Sequence, residues 1–420
     1  VSFRRFVLFL PVLWILAACA EDLTGGNTCP ALCPVENIPL EEVVIEPVAF
    51  AASVGDFPLR GTENGLWLAT RGDSLDVRVI VRYDTVTSTY LSQGTARPIT
   101  SVDSAHVMVR FALANANWTD DITLEAYDVD APGNDTATAA VAALFTPDRL
   151  LGSAVANRTA LLLDDSVKVY LRNDVILNKV RTGARIRIGL RLAGTGTALL
   201  QSVETGAPPR LSFQPDRSDP DARQLNIAPV SRTPVGNPAL AFELTDHSIF
   251  VRGTETSDAT RLIVGGIPAR RTYLRLVVPT FYLDSVVLVR AQLSLYQRSS
   301  GGVDRTEPLA ISPVAVSATS RIVDISRAAS LVFPALQFGI GAIVAAPADS
   351  GERRIDLIQL VRQWTAVSAR ENGPQTALVL QSLNEATAAG YLEFWGPDAP
   401  PALRPKLRLS YIPRARFGRP

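Results

Sequence analysis

Arg185-Ile186-Arg187-Ile188-Gly189-Leu190-Arg191-Leu192 decides how this chain folds. Apolar and charged residues alternate at period two, which suits a strand with one face in a core and is wrong for a helix, whose faces recur every three to four residues. Working outward, Val77, Val79, Val81 and Tyr83 alternate with Arg78, Ile80 and Arg82. The pattern returns over Val287 to Leu295 and where Leu407, Leu409 and Tyr411 are set against Lys406, Arg408 and Ser410, with turn-forming clusters in between. Helical signals are few. Thr136 to Leu144 is alanine-rich, and Ile355 to Trp364 carries Leu357, Leu360, Val361 and Trp364 at helical spacing, which puts Trp364 in a core. Many strands with short helices predict an all-β protein built from antiparallel, jelly-roll-like β-sandwiches.

The strand pattern is written twice. Arg60-Gly61-Thr62-Glu63 returns as Arg252-Gly253-Thr254-Glu255, and Asp103-Ser104 leading into Val107-Met108-Val109-Arg110 returns as Asp284-Ser285 leading into Val287-Leu288-Val289-Arg290. Pro208-Pro209-Arg210-Leu211-Ser212-Phe213 corresponds to Arg404-Pro405-Lys406-Leu407-Arg408-Leu409. The three pairs keep their order, so the expectation is two tandem sandwich domains, over 48–214 and 246–413, with a linker over 215–245 and a tail over 414–420. Val332 to Ala348, almost wholly apolar but broken by Pro334, Gln337, Gly339 and Gly341, reads as one or two buried strands or as a loop that docks a partner.

The chain of 420 residues balances 41 Lys+Arg against 41 Asp+Glu, which gives no electrostatic reason to bind nucleic acid, and its 47% hydrophobic content is too high for a disordered chain. With Met108 as its one methionine, Val1 reads as a GTG start. Arg4 and Arg5 precede an apolar run from Phe6 to Ile15, and Leu16-Ala17-Ala18-Cys19 follows, which is the build of a secretion signal and too short to span a membrane. The ending resembles the bacterial lipobox. That resemblance implies a cut before Cys19 and a diacylglyceryl group on its thiol, so that 1–18 is a leader and 19–47 a lipidated tether whose partner is membrane lipid. An ordinary signal peptide with an incidental Cys19 is the alternative. Ala20 after the cysteine implies sorting to the outer membrane of a bacterial envelope. Cys29 and Cys33, inside the tether, can close a small disulfide loop in an oxidising compartment or stay as two thiols.

The second repeat is similar to a known family. Tyr273-Leu274-Arg275-Leu276, Asp284 to Tyr296 with its Ala-x-Leu-x-Leu core, Ile355 to Trp364, Thr376 to Gln381 and Arg404 to Tyr411 resemble the DNRLRE domain. The resemblance implies a jelly-roll β-sandwich on a secreted or surface protein, a class in which some members bind alginate. In the first repeat Val167 to Val180 takes the place of Ile355 to Trp364 but has no tryptophan.

Catalytic groups are scarce. Only His106 and His247 are available for acid–base work near neutral pH, and His106, on a strand beside Val107, reads as structural. No nucleophile elbow, zinc-binding His-Glu-x-x-His, phosphate loop or dinucleotide glycine pattern occurs. Asp120-Asp121 and Asp164-Asp165 could serve a glycosidase and are more simply turn residues. Asp128, Asp130, Asn134 and Asp135 offer oxygen ligands for a structural calcium ion but lack the loop of an EF-hand; no other cofactor is expected.

Two surfaces follow from strand parity. Arg185, Arg187 and Arg191 share one strand face and Arg78 and Arg82 another, so a sheet pairing them presents either a cationic strip for an acidic polysaccharide or a merely solvated outer face. Tyr391, Glu393 and Trp395 share a face that the charge turns toward water, where aromatics stack on sugars, unless Trp395 packs over a sandwich edge. The expectation is a non-enzymatic, lipid-anchored envelope protein that binds polysaccharide. The alternative is a structural or adhesion protein with envelope protein partners and no sugar ligand.

Overall fold

Alternation becomes strands wherever the sequence carries it. The structure, a computed structural model, describes residues 40–57, 60–113, 118, 121–130, 137–231, 244–253, 260–301, 304–316, 340–368, 377–385 and 387–414. In the first half lie β1 (Glu41–Ile45), β2 (Val48–Phe57), β3 (Leu66–Arg71), β4 (Leu75–Tyr83), β5 (Thr89–Ser92), β6 (Thr95–Pro98), β7 (Val102–Arg110) and β8 (Ile122–Asp128). They are followed by β9 (Leu150–Ala156), β10 (Ser166–Tyr170), β11 (Ile186–Ala193), β12 (Gly196–Leu200), β13 (Arg210–Pro215) and β14 (Leu225–Ile227). The second half holds β15 (Asp246–Arg252), β16 (Arg261–Gly265), β17 (Ala269–Leu276), β18 (Val286–Arg298), β19 (Leu309–Val316), β20 (Ile343–Ala345), β21 (Gly351–Asp356), β22 (Ala377–Ser382), β23 (Tyr391–Trp395) and β24 (Lys406–Pro413). The protein is all-β, and its sheets are antiparallel.

The helices are short: α1 (Thr138–Ala142), α2 (Arg158–Leu161), α3 (Asn173–Thr182), α4 (Thr280–Asp284) and α5 (Ile358–Ser368). Ile355 to Trp364, expected as helix throughout, divides between the end of β21 and α5. Asp356 makes the break, because its Oδ1 accepts the Ile358 amide at 2.9 Å and caps the helix start. Val167 to Val180 divides in the same way into β10 and α3. Gly183, at φ 63, ends α3 in the left-handed conformation that glycine adopts without strain.

Both repeats build one topology. The order β12-β3-β4-β11-β8-β9 in the first is matched by β23-β16-β17-β22-β19-β20 in the second, and β10-β7-β13-β14 is matched by β21-β18-β24-β1. In the second the layers fuse at a corner, where Gln297 and Arg298 of β18 pair Phe394 and Glu393 of β23. The isolated bridge from Phe111 to Leu200 is the same corner in the first. Each sandwich has its own core, with Val81, Tyr83, Val107, Leu124, Ile188 and Phe213 in one and Leu274, Leu293, Trp364, Leu380, Phe394 and Leu409 in the other. Trp364 is core, as its helical spacing indicated. Ile343 and Ala345 of β20 are core too; residues 332–339 lie outside the described part.

The pairing crosses the boundaries that the repeat suggested. β1 and β2 stand to the first repeat as β14 and β15 stand to the second, each pair preceding or leading into an Arg-Gly-Thr-Glu sequence. Yet β1 hydrogen-bonds to β24 and β2 to β17, in the second sandwich, whereas β14 bonds to β13 and β15 to β4, in the first. The starts of both expected domains, 48–57 and 246–252, therefore lie in the opposite sandwich. Part of the expected linker is sheet as well, since β14 falls in it and Val230 bridges to Tyr83. Between the sandwiches, Trp67, Leu199 and Phe250 of the first pack with Ile267 and Ala389 of the second.

Candidate functional site

Three of the five arginines, Arg78, Arg82 and Arg187, lie inside the protein. Arg187 sits opposite Arg82 in the β11–β4 register, and its guanidinium forks onto Asp84 at 3.2 and 3.3 Å, with 5% and 4% of the two side chains exposed. Arg78 forks onto Asp76 at 3.0 and 2.7 Å, donates to the Ala142 carbonyl and lies over the Phe145 ring at 4.6 Å. Burial pushes Arg82 down to about 10, and Arg187 beside it adds to the shift. Arg185, partly exposed, bonds Asp130 at 2.6 Å, and Arg191 faces Glu125 across the sheet. The strip predicted from parity is thus not a solvent-facing cationic surface. The reason is a second covering layer: Val129, α1 and Phe145 fold back over this face onto Ile80, Tyr127 and Ile249. Gly189 admits the layer, since a Cβ there would come within 2.4 Å of Phe145 and 2.6 Å of Val129.

The aromatic face needs a similar correction. β23 is an interior strand between β16 and β18, so Tyr391 and Glu393 are buried rather than turned to water. Two guanidinium groups hold Glu393, Arg261 at 2.8 and 3.1 Å and Arg298 at 2.9 Å. Arg298 also covers the half-buried Trp395 at 4.5 Å from the ring centroid. Trp395 packs at the sandwich corner, which was the other reading of that residue.

An open polar groove of about 340 Å³ lies elsewhere, on the outer face of the β10-β7-β13-β14 sheet, lined by Asp103, Ser104, His106, Lys168, Tyr170, Gln214, Arg217 and Gln224. Alternation along β10 buries Val169 and turns Lys168 and Tyr170 outward. In register Tyr170, His106, Ser212 and Asn226 form one row across four strands, and Lys168, Met108 and Arg210 the next. Tyr170 is 59% exposed, yet its ring is steadied by His106 at 5.5 Å between centroids. His106 Nδ1 meets the Ser104 carbonyl at 2.9 Å, and Arg217 pairs with Asp103 at 2.9 Å, so the groove walls are held from beneath. The sequence signal for this site was present in an aromatic and a lysine at the polar parity of Ser166 to Tyr170.

The second repeat offers the equivalent face. Arg354, Ser294 and Lys406 stand in register where Lys168, Met108 and Arg210 stand in the first, and Gln292 and Arg408 follow in the neighbouring row. Glu352 lies there too. Its carboxyl is held below the usual range by Arg354, then by Ser294, with Arg408 a smaller contributor.

The remaining candidates have structural partners. His247 on β15 is buried, and desolvation, followed by Arg82, drives it well below its usual range, so it stays neutral. Asp164 accepts both the amide and the hydroxyl of Ser166, Asp165 pairs with Arg110, and Asp121 accepts from Asn157. Asp128 and Asp130 are engaged by Lys179 at 3.0 and 3.4 Å; their proposed calcium partners Asn134 and Asp135 lie outside the described residues. No group of three or more metal-ligating side chains occurs among the described residues. Cys19, Cys29 and Cys33, and Asp120, also lie outside them.

No protein-family model and no curated protein matches the chain. Among solved structures, the cryo-EM structure of Broad Bean Stain Virus covers 92% of this chain and 95% of that one, at 8% identity and a TM-score of 0.19, a likeness too low to bear on fold or function.

Proposed function

We propose that the protein is a lipid-anchored, non-enzymatic component of the bacterial outer envelope that binds polysaccharide in the groove on the β10-β7-β13-β14 face. The observation that carries this reading is Tyr170, an exposed ring steadied by His106 and flanked by Lys168, Gln214 and Gln224 in an open polar cleft. A ring of this kind stacks on the apolar face of a pyranose, the amides reach its hydroxyls, and Lys168 with Arg210 attracts a uronate carboxylate. The resemblance of the second repeat to DNRLRE sandwiches belongs to the same reading, supported by the succession of β21, α5 and the core residue Trp364.

Affinity electrophoresis of the folded chain in alginate, pectin and neutral glucans, with and without calcium, tests it. Alginate or pectin should retard the protein, salt should weaken the effect, and Tyr170→Ala should lower affinity by up to about tenfold, the value of one good aromatic contact. Retardation by neutral glucans alone would shift the weight from Lys168 and Arg210 to Tyr170. No retardation by any polymer would leave the rival reading, a structural envelope protein, which draws support from the way each sandwich is completed by strands from the other repeat.

A further inference from the structure

One end of the second sandwich is apolar where it meets solvent. Phe281 is 52% exposed, Val287 49% and Val289 46%, three large apolar side chains within nine residues. Val287 lies beside Ile412 in the β18–β24 register, and Val289 is the extra residue of a bulge between Leu288 and Arg290, which pushes it outward. Phe281 packs edge-on against Tyr282 and Tyr411, at 5.2 and 6.3 Å between centroids. This places an aromatic cluster at the same end of β18 and β24 as the apolar band, on the Tyr411 side, while alternation turns Val287 and Ile412 to the other side.

Both ends of the fold converge on the band. β1 begins at Glu41 opposite Tyr411, and the Tyr411 hydroxyl donates to the Glu41 carboxylate at 2.6 Å. β24 finishes at Pro413 and runs into the exposed Arg414, after which the sequence continues through Arg416 and Arg419. Arg290 is exposed on the same strand as the band, and Arg362 donates to the Leu288 carbonyl beside it at 2.9 Å. Apolar residues and a tyrosine pair, with the exposed Arg290, Arg362 and Arg414 and the two arginines of the following sequence set against the exposed carboxylates of Glu41, Glu42 and Asp284, are a composition that settles at a bilayer interface, the rings at headgroup depth and the guanidinium groups on lipid phosphates.

We propose that this end of the second sandwich docks on an anionic bilayer surface, with Phe281, Val287 and Val289 in the headgroup region. The proposal rests on the lipid-anchor reading, since an acyl group on Cys19 is joined through about twenty residues to Glu41 and so delivers this end of the fold to the membrane first. One acyl-bearing residue tethers; a docked face also fixes which way the protein stands.

Vesicle flotation tests the docking apart from the anchor. The mature chain from residue 19, carrying Cys19→Ser so that no acyl group is present, is floated with phosphatidylethanolamine vesicles with or without phosphatidylglycerol. It should float with the anionic vesicles and less so in high salt, and the Phe281→Ser, Val287→Ser double variant should lose at least about tenfold in binding with an unchanged melting temperature. Should that variant fail to fold, Phe281→Trp serves instead, its added emission shifting to the blue on vesicle addition. Absence of flotation, an unaffected double variant, an unshifted tryptophan, or loss of a dimer in place of loss of vesicle binding would each overturn the proposal. The mass of the N-terminal peptide from envelope-expressed protein decides the anchor separately: an unacylated Cys19 ends that reading whatever the vesicles show.

Discussion

Glu63 sits where the chain crosses from one sandwich to the other, accepting the Gly61 and Ser248 amides. Burial lifts its carboxyl from 4.5 to about 8, and burial followed by Glu204 lifts Asp246 from 3.8 to about 7. Both groups hold a proton more tightly folded than unfolded, so their contribution to stability is complete below about pH 4 and is lost as pH rises through 7 and 8. Each costs up to about 1.4 kcal/mol per pH unit across that window. The urea midpoint should therefore fall between pH 5 and 8.5, and Glu63→Gln should flatten the slope; a midpoint constant with pH would refute this account. Other single residues mark the limits of reading a sequence. Alternation correctly divided Arg78, Arg82 and Arg187 from the valines and isoleucines, but it could not say that the second face has its own cover. Ile80 and Gly189 among the arginines were the available clue, because an apolar residue and a missing side chain have no place on a solvated face. Glu393 was misread for a related reason: its charge is answered by Arg261 and Arg298 from neighbouring strands, which no local pattern reveals.

Among elements, strand identity was legible and strand partnership was not. The recurrence of Arg-Gly-Thr-Glu and of the closing segment locates equivalent strands, and the sheet orders agree one for one, whereas the Asp-Ser match finds the right two strands, β7 and β18, out of register: Arg210 pairs Met108, but its counterpart Lys406 pairs Ser294 and not Leu288. But a strand of given alternation fits either sandwich equally well, and the change of sandwich falls between β2 and β3 and again between β15 and β16, where no local pattern marks it. β1 and β2 are the elements on which the second sandwich depends. Removing residues 41–57 would strip β24 and β17 of a neighbour each and uncover Leu274, Leu276 and Tyr411. Open edges of that length pair with one another. The shortened chain should aggregate in sedimentation velocity, and a synthetic peptide spanning 40–57 should restore a single species by adding back the missing strands. A shortened chain that stays monomeric without the peptide would show that β1 and β2 are ornamental.

At the scale of the whole molecule the reciprocal pairing makes a clasp. A single cut in the exposed turn between β13 and β14, at Asp216 to Gln224, gives two pieces that no longer share a peptide bond, yet β1 and β2 remain hydrogen-bonded into the second piece and β14 and β15 into the first. The nicked protein should elute with the intact one in size exclusion and come apart only when unfolded; separation in native buffer would argue against the pairing. The clasp also sets an order of events during manufacture. The first sandwich is continuous from Leu66 to Arg252 and can close as soon as that stretch has been made, whereas β2 must await β17 and β1 must await β24. At about 5–20 residues per second, roughly ten to forty seconds of synthesis separate β2 from its partner. Throughout that interval the earliest strands of the chain are its last unsheltered ones, and a chaperone that shields nascent polypeptide would find its most persistent client at the N-terminal end.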